Sequence, residues 1–269
     1  MSDGIVVEVA DRLWRAEIDR SPIGPITDSH PELGIEDAYA IQSHNIQRRV
    51  GAGRMIRGRK VGLTAKPVQE LFGVREPDFG VLLDDMFVED GDEISLDTLL
   101  QPRVEAEMAF LIGRDLAGPG ITTTNALAAI AGVLPSIEIV DSRIADWKIK
   151  LIDTVADNAS SAKLVIGGKL TRVTDLDLRL GGMVITRNGA VIDSGAGAAA
   201  LGNPARCVAW LANKLAAFGA CLHRDDIVIP GALHRMVPAG PGDVFRAEFA
   251  YLGAVTVRFS HGAGNGGPA

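Results

Sequence analysis

The sequence predicts an α+β fold in which an N-terminal helical unit precedes a mixed, mainly antiparallel, β-rich body. Apolar residues recur at helical spacing in the first 55 residues, whereas later apolar segments are short or alternate with polar residues. We find no internal repeat and no regular alternation of strands with helices, which disfavours a doubly wound parallel sheet. We therefore divide the chain into a helical unit, residues 1–55, and a β-rich domain, residues 56–269.

The helical unit contains two predicted amphipathic helices. The first covers residues 4–20, where Val6, Val9 and Leu13 recur at helical spacing. The second covers residues 35–50, with acidic residues in its first turn, where they favour the helix dipole. The segment between them contains three prolines and is predicted to be a linker.

The β-rich domain is predicted from shorter signals. In chain order they are a strand in RKVGLTA, a helix in KPVQELFGV, a strand in VEAEMAFLIG, a helix in TTNALAAIAGV, a strand in LPSIEIVDSRI, a hairpin around Asn188-Gly189, a helix in NPARCVAWLANKLAAFGA and a strand-rich tail. Asn203 and Pro204 suit the cap and first position of the last helix. The final GAGNGGPA is predicted to be a frayed end.

The composition excludes several classes of protein. Of the 269 residues, 47% are hydrophobic and 23% charged, with a formal net charge of -7, which offers no basic surface to a nucleic acid. No run reaches the roughly 18 apolar residues of a membrane span, and the acidic N-terminus lacks the apolar core of a signal peptide. The two cysteines belong to no metal-binding motif. We expect a soluble, cytoplasmic protein without nucleic-acid or membrane partners.

Three glutamates interrupt apolar strands. Glu105 and Glu107 stand two residues apart, and because side chains alternate along a strand, both project from one face. Glu138 stands alone inside a second apolar strand. A buried carboxylate must be paired, neutralised or bound to a metal, and three carboxylates favour Mg²⁺ or Mn²⁺ over zinc. The alternative is a half-exposed strand whose polar face carries glutamates.

Five segments resemble a known family. They are KVGLT (60–64), EPDFGVLLDD (76–85), RVEAEMAF (103–110), LPSIEIVDSR (134–143) and DNASSA (157–162). In this order they resemble the hydratase/decarboxylase family of 2-hydroxypenta-2,4-dienoate hydratases (2-keto-4-pentenoate hydratases), which have the fumarylacetoacetate hydrolase-like fold. The likeness runs from the N-terminal helices to the final strands. It implies that the β-rich domain is catalytic and of the fumarylacetoacetate hydrolase C-terminal-like type.

The resemblance implies roles for eight residues. They are the metal ligands Glu105, Glu107 and Glu138, the catalytic residues Lys60 and Asp78, and the substrate-binding residues Leu83, Ser161 and Gly231. The neighbouring Ser160 leaves the register of the serine open, and Ala232 stands where the family often has a hydroxyl side chain. Without the resemblance, Lys60 is typical of a surface cation and Asp78 of a turn residue.

The implied activity is that of a metal-dependent hydro-lyase. It adds water to 2-hydroxypenta-2,4-dienoate to give 4-hydroxy-2-oxopentanoate, in the meta-cleavage degradation of aromatic or steroid compounds. Ketonisation of the dienol makes C4 electrophilic, and a divalent ion stabilises the charge on the neighbouring oxygens. Lys60 and Asp78 are the candidates for proton transfer, with their separate roles open. Family members also form homo-oligomers, so we expect one here.

Other activities stay open. A 4-oxalocrotonate-type decarboxylase or a 2-oxo-hept-4-ene-1,7-dioate hydratase needs a further cation for a second carboxylate, for which Arg143, Lys163 and Arg235 are candidates. Arg143 is otherwise expected to form a structural ion pair with Asp141. A carbon–carbon bond hydrolase requires a His-Glu pair that residues 20–60 do not provide in a comparable arrangement. A non-catalytic partner of a pathway aldolase predicts no metal affinity and tolerance of Glu105→Ala.

Overall fold

The computed structural model describes residues 3–260, with side chains from Gly4 onward. In this part of the chain the α-helices are α1 (Asp3–Ile18), α2 (Ile26–Ser29), α3 (Ile35–Gly51), α4 (Lys66–Phe72), α5 (Thr123–Ala129), α6 (Leu151–Ala156) and α7 (Pro204–Ala216). The strands are β1 (Ile56–Gly62), β2 (Asp78–Leu83), β3 (Phe87–Glu89), β4 (Glu93–Ser95), β5 (Arg103–Ile112), β6 (Ile130–Val140), β7 (Ser161–Ile166), β8 (Gly182–Arg187), β9 (Ala190–Ala196), β10 (Ile227–Ile229), β11 (Val237–Pro238), β12 (Val244–Phe249) and β13 (Gly253–Ser260).

The strands form two sheets. The larger follows the order β2-β1-β10-β5-β6-β7-β3, with β11 also pairing with β5, and the smaller follows β4-β13-β12-β8-β9. The pairs β1·β10, β3·β7 and β13·β4 are parallel, and the other strand pairs are antiparallel. The predicted α+β class with a mainly antiparallel body is confirmed.

The N-terminal helices share one apolar interior with the larger sheet. Val9 of α1 and Ile41 of α3 are fully buried and belong to the same cluster as Val104 and Ile137 of the central strands. Burying such a side chain contributes about 1.5–3 kcal/mol, which holds the helices on the sheet. The helical part ends at Gly51 and the first strand follows at residue 56, while the division into residues 1–55 and 56–269 stays a prediction.

Two local signals in the sequence are confirmed. Asn188 and Gly189 have positive φ angles of 53° and 82° and join β8 to β9, as a tight hairpin turn requires. Asn203 caps α7, because its Oδ1 accepts a hydrogen bond from Ala205 N–H at 3.0 Å, and Pro204 takes the first helical position.

Two boundaries differ from the prediction. The helix predicted in TTNALAAIAGV ends at Ala129, and β6 begins directly at Ile130. Ile130 and Val133 are buried β-branched residues, which pack better in an inner strand than in a further helical turn. The short helix α2 lies in the segment predicted as a linker.

The described helices include none that is both long and apolar enough to cross a membrane. The segment predicted to be a frayed end falls within residues 261–269, outside the described residues.

Candidate metal and catalytic site

Strand pairing brings the three glutamates together. The register of β5 and β6 places Glu105 directly opposite Glu138, and Glu107 opposite Ser136. Because alternate residues of a strand share a face, all three carboxylates project from the same face of the sheet. One oxygen from each lies within 4.8 Å of the others. The sheet therefore assembles an oxygen-rich cluster that neither strand forms alone.

Two of these carboxylates are enclosed. Glu107 is 1% exposed and Glu138 is 0% exposed, whereas Glu105 is half-buried. Glu107 Oε2 accepts a hydrogen bond from Gly231 N–H at 2.7 Å. Neither side-chain oxygen of Glu138 accepts a hydrogen bond from any described residue. An unsatisfied buried carboxylate is costly, so this oxygen set fits a divalent cation that prefers hard oxygen ligands.

Lys60 of β1 supplies positive charge to the cluster. Its side chain is buried, and its Nζ lies 3.3 Å from Glu138 Oε2 and donates a hydrogen bond to Ala159 O at 3.0 Å. Burial opposes the charge, but the surrounding carboxylates, with Glu138 first, hold the pKa of Lys60 above its usual value. With these carboxylates ionised, the structure holds Lys60 as a cation beside Glu138.

Asp78 begins β2, opposite Gly62 of β1. Its carboxyl is buried, and Oδ1 makes no hydrogen bond to a described residue. A Cβ atom on Gly62 would lie 2.2 Å from this oxygen, so only glycine leaves room for it. Burial raises the pKa of Asp78 to about 6, with the Lys60 ammonium opposing the shift. Such a carboxyl can take up and release a proton near neutral pH.

Burial and neighbouring carboxylates also raise the pKa values of two of the glutamates. Burial raises the pKa of Glu105 to about 7, with Lys60 opposing the shift and Glu138 adding to it. Burial raises the pKa of Glu107 well above its usual range, and the charges of Glu138 and Glu105 add to the effect. Protons therefore compete with any cation for these oxygens.

Glu105 and Glu107 of this cluster line a cavity of about 510 Å³ together with Lys60 and Asp78. Much of the remaining wall is apolar, with Leu63, Val68, Leu71, Phe72, Ile149 and Met236. Two arginines also line it: Arg103, whose guanidinium carbon lies 4.5 Å from the centre of the Trp147 ring, and the exposed Arg235. A cavity with convergent polar groups at one end and apolar walls is typical of a small-molecule site.

A strained turn forms part of the cavity wall. Asn158, Ala159 and Ser160 have consecutive positive φ angles of 53°, 50° and 55°. The left-handed conformation costs roughly 1–2 kcal/mol per non-glycine residue, so the surrounding structure must hold the turn in place. The turn presents the Ala159 carbonyl to Lys60 and Ser160 to the cavity.

The structure places Ser160, and not Ser161, on this cavity. Ser161 begins β7 and lines a separate cavity of about 260 Å³, where its Oγ makes no hydrogen bond to a described residue. Adjacent residues point in different directions as the left-handed turn gives way to the strand. A substrate contact by Ser161 stays a prediction, while Ser160 lines the cavity of the carboxylates beside Thr154, with their hydroxyl oxygens 3.4 Å apart.

Leu83 also lies away from the carboxylates. It is 1% exposed, packs in a hydrophobic cluster with Ile46 and Met86, and lines the separate cavity. Leu83 and Asp78 are an odd number of positions apart in β2, so their side chains lie on opposite faces of the strand. Leu83 therefore does not line the cavity that Asp78 lines, and a substrate contact by Leu83 stays a prediction.

Gly231 lies at the cavity and acts through its backbone. Its φ is 112°, and a Cβ atom there would lie 2.0 Å from Thr64 Oγ1, so no other residue fits without displacement. Its N–H is the group that holds Glu107. A substrate contact by Gly231 stays a prediction, and the neighbouring Ala232 also lines the cavity.

Two of the candidate cations do not reach the cavity. Arg143 and Lys163 line the separate cavity, whereas Arg235 lines that of the carboxylates. The predicted ion pair between Arg143 and Asp141 is wrong in its partner. The Arg143 guanidinium pairs with the Asp157 carboxylate, and it contacts only the main-chain oxygen of Asp141.

Sequence reasoning missed two groups on the cavity. Thr154 comes from α6, which gave no motif, and the Ala159 carbonyl is a backbone group inside DNASSA. His234 also lines the cavity; its Nε2 accepts a hydrogen bond from Ala106 N–H at 2.8 Å, and burial lowers the pKa of His234. DNASSA carried a signal in the sequence through the family resemblance.

Comparisons with known proteins agree on one protein family. Residues 49–260 match the model of the fumarylacetoacetate (FAA) hydrolase C-terminal family. The chain is 46% identical over 259 residues to a 2-keto-4-pentenoate hydratase of Paraburkholderia xenovorans, covering 96% of both chains. It is 45% identical over 263 residues to a 2-hydroxyhexa-2,4-dienoate hydratase of Comamonas testosteroni, covering 97% of this chain and 100% of that one.

A solved structure matches over nearly the whole chain. It is 4-oxalocrotonate decarboxylase from Pseudomonas putida G7, complexed with magnesium and adipate. The TM-score is 0.93 with 37% sequence identity, covering 96% of this chain and 98% of that chain.

Proposed function

The chain belongs to the fumarylacetoacetate hydrolase C-terminal family, and from this premise we propose that it is a metal-dependent hydro-lyase. Its proposed reaction is the addition of water to 2-hydroxypenta-2,4-dienoate, giving 4-hydroxy-2-oxopentanoate. The observation that carries the proposal is the buried cluster of three glutamates, two of whose oxygens lack a hydrogen bond from any described residue, beside Lys60 and Asp78 at the end of a cavity. Its similarity to two dienoate hydratases supports this reaction class.

Glu105, Glu107 and Glu138 would hold the metal, which we propose to be Mg²⁺ or Mn²⁺. The fit rests on the unsatisfied oxygens of Glu138 and on an all-carboxylate ligand set. When bound, the ion would supply Lewis-acid stabilisation of the negative charge that develops on the substrate oxygens.

The side chains around the metal site provide proton transfer and orientation. The dienol must gain a proton at C5 as its 2-hydroxyl loses one, which gives a 2-oxo-3-enoate. Water then adds at C4, and C3 takes up a proton. Asp78, whose pKa burial raises to about 6, is suited to carry these protons. Lys60 stays charged and holds the substrate or Asp78 in place.

One observation favours a monocarboxylate substrate. Much of the cavity wall beyond the carboxylates is apolar, which suits a hydrocarbon end. Burying a second carboxylate against that wall would be costly without a cation.

The second candidate is a decarboxylase or hydratase that acts on a diacid. Arg103 and Arg235 favour it, because both line the cavity and each offers a guanidinium for a second carboxylate. The solved decarboxylase complexed with the diacid adipate is consistent with this alternative.

The wider setting is also a proposal. We place the protein in the cytoplasm, as a homo-oligomer, in the meta-cleavage degradation of an aromatic or steroid compound. An interaction with the aldolase that follows such a hydratase also belongs to this proposal.

The test is an assay of the purified protein with freshly generated 2-hydroxypenta-2,4-dienoate. Loss of ultraviolet absorbance is followed with Mg²⁺ and with EDTA, and a parallel sample contains 2-oxohexenedioate with carbon dioxide trapped. Metal-dependent formation of 4-hydroxy-2-oxopentanoate is expected. Turnover of the diacid alone, with release of carbon dioxide, would move the protein to the second candidate, and no turnover of either substrate contradicts both.

A further inference from the structure

Lys60 depends on a turn whose conformation is unfavourable. The Ala159 carbonyl that accepts the Lys60 hydrogen bond lies in the middle of the left-handed turn 158–160. A backbone carbonyl in such a turn keeps its direction only if other contacts fix the turn. Two contacts of this kind are the Asp141 N–H, which donates to Ser160 O at 2.8 Å, and the side chain of Asn158.

The side chain of Asn158 binds both main-chain groups of a single residue in β2. Its Oδ1 accepts a hydrogen bond from Val81 N–H at 2.8 Å, and its Nδ2 donates one to Val81 O at 3.0 Å. β2 is the last strand of the larger sheet, so its outer edge offers unpaired backbone groups. The Asn158 amide occupies part of that edge as a neighbouring strand would.

Gly80, next to Val81, leaves space for this contact because it has no side chain. A Cβ atom on Gly80 would lie 2.5 Å from Asn158 O, so only glycine allows the turn to approach β2 this closely. Gly80 is also the residue that pairs with Lys60 across β1 and β2. The turn therefore contacts β2 at Val81, and β2 pairs with β1, the strand that carries Lys60.

We propose that Asn158 is a positioning residue for Lys60, which it fixes by fastening the 158–160 turn to the edge of β2 through Val81. Asparagine suits this task because it tolerates the left-handed conformation and offers one donor and one acceptor. The proposal rests on the proposed hydratase function, since it assigns Asn158 a kinetic role in that reaction.

Asn213 provides a matched control. Its side chain makes the same pair of contacts with Ile121, with Oδ1 accepting from Ile121 N–H at 2.8 Å and Nδ2 donating to Ile121 O at 2.8 Å. Neither residue lines the cavity of the carboxylates. Asn158→Ala and Asn213→Ala therefore remove equivalent hydrogen bonds, and only the first removes a support of Lys60.

The experiment compares wild type, Asn158→Ala, Asn158→Gly and Asn213→Ala. For each we would measure kcat and KM with 2-hydroxypenta-2,4-dienoate, the Kd for Mn²⁺ and the Tm. We expect kcat of Asn158→Ala to fall about 10²-fold. A misplacement of about 1 Å at a group in the active site can cost that much. The KM of this variant and its Kd for Mn²⁺ should stay within about threefold, since uniform binding is unaffected. Asn213→Ala should also have a lower Tm than wild type but keep its kcat.

Two results would overturn the proposal. If Asn158→Ala keeps its kcat within about threefold while its Tm falls as in Asn213→Ala, the residue is only structural. If Asn158→Gly has the wild-type kcat, then tolerance of a positive φ matters, and the side-chain contacts with Val81 do not.

An inactive wild type would instead mean that the proposed function fails. The crystal structure of Asn158→Ala then decides the question independently. Displacement of the Ala159 carbonyl from Lys60 Nζ supports the positioning role, and an unchanged distance of 3.0 Å contradicts it.

Discussion

Two clusters of buried charged groups in the described part of the chain differ in how their hydrogen bonds are satisfied. The carboxylate cluster contains Lys60, Asp78, Glu105, Glu107 and Glu138, and the arginine cluster contains Asp141, Arg143 and Asp157. If all groups are ionised, four carboxylates face one ammonium in the first cluster and two carboxylates face one guanidinium in the second. Both are largely buried, so the comparison rests on how their hydrogen bonds are satisfied.

In the arginine cluster the charged groups are extensively hydrogen-bonded. Arg143 pairs with the Asp157 carboxylate, and its guanidinium also donates to the main-chain oxygens of Asp157 and Asp141, each at 2.6 Å. The carboxylate of Asp141 accepts from Leu100 N–H at 2.8 Å and from Gln101 N–H at 2.6 Å. Burial opposes the charge on Arg143, yet Asp157 holds its pKa above the usual value.

This difference in hydrogen bonding indicates which of the two clusters binds a ligand. The carboxylate cluster leaves oxygens of Glu138 and Asp78 without a hydrogen bond from any described residue. A fully hydrogen-bonded network rigidifies the fold, whereas unsatisfied buried polar groups are costly and indicate a catalytic role or a bound ion. We therefore regard the arginine cluster as structural and the carboxylate cluster as a binding site.

The largest expected effect comes from removing one carboxylate of the unsatisfied cluster. Glu107→Gln keeps the volume of the side chain and an oxygen for Gly231 N–H, but removes an ionised ligand. We expect kcat to fall by about 10³-fold or more, because metal-assisted charge stabilisation is lost. The metal-free variant should be as stable as wild type or more so, since one of several like charges is gone. Hydration kinetics and calorimetry measure both, and activity within tenfold of wild type contradicts the assignment.

A substitution in the arginine cluster is expected to lower the unfolding free energy. Arg143→Met leaves Asp157 buried without its cation and should cost about 3–5 kcal/mol of unfolding free energy, measured by urea denaturation. Arg235→Met is the control, because Arg235 is exposed and its loss should cost less than about 0.5 kcal/mol. A loss below about 1 kcal/mol for Arg143→Met would show that the arginine cluster is not structural.

Asp78→Asn sharpens the division of roles within the carboxylate cluster. We expect kcat to fall about 10²-fold while the Kd for Mn²⁺ changes little, because Asp78 moves protons and does not hold the metal. In wild type, the ionised form of Asp78 increases as the pH rises through about 6, so kcat should rise over the same interval. The variant should lack this rise. A variant with an unchanged pH profile would remove Asp78 from the proton transfer.

The smallest effects distinguish the two adjacent serines. Ser160→Ala should lower kcat/KM by about tenfold, the value of one hydrogen bond in the cavity. Ser161→Ala should leave it within about twofold, because Ser161 lines the separate cavity. Steady-state kinetics of the two variants measure the difference, and a larger loss in Ser161→Ala would support the assignment made from the sequence.

Much of the fold could be predicted from the sequence because its signals are local. The period of the first helices, the Asn188-Gly189 turn and the Asn203 cap each act within a few residues. The family resemblance is confirmed by the match of residues 49–260 and by the similar hydratases. The end of α5 could not be predicted, because burial of Ile130 in a sheet outweighs local helical preference.

The site could be predicted only in part. Alternation along one strand puts Glu105 and Glu107 on one face, but the position of Glu138 depends on the register between β5 and β6. No local rule gives the left-handed turn that exchanges Ser160 for Ser161 at the cavity. The pairing of Arg143 with Asp157 likewise depends on how loops pack in the folded chain.

The most direct test of the central claim is a titration of metal-stripped protein with Mn²⁺, for wild type, Glu107→Gln and Arg235→Met. We predict one ion per chain in wild type and Arg235→Met, and at least about a tenfold weaker affinity in Glu107→Gln. The affinity of wild type should also fall as the pH drops below about 7, because burial raises the pKa of Glu105 to about 7 and protons then compete for its oxygens. Failure of wild type to bind Mn²⁺, or equal affinity in Glu107→Gln, would contradict the account.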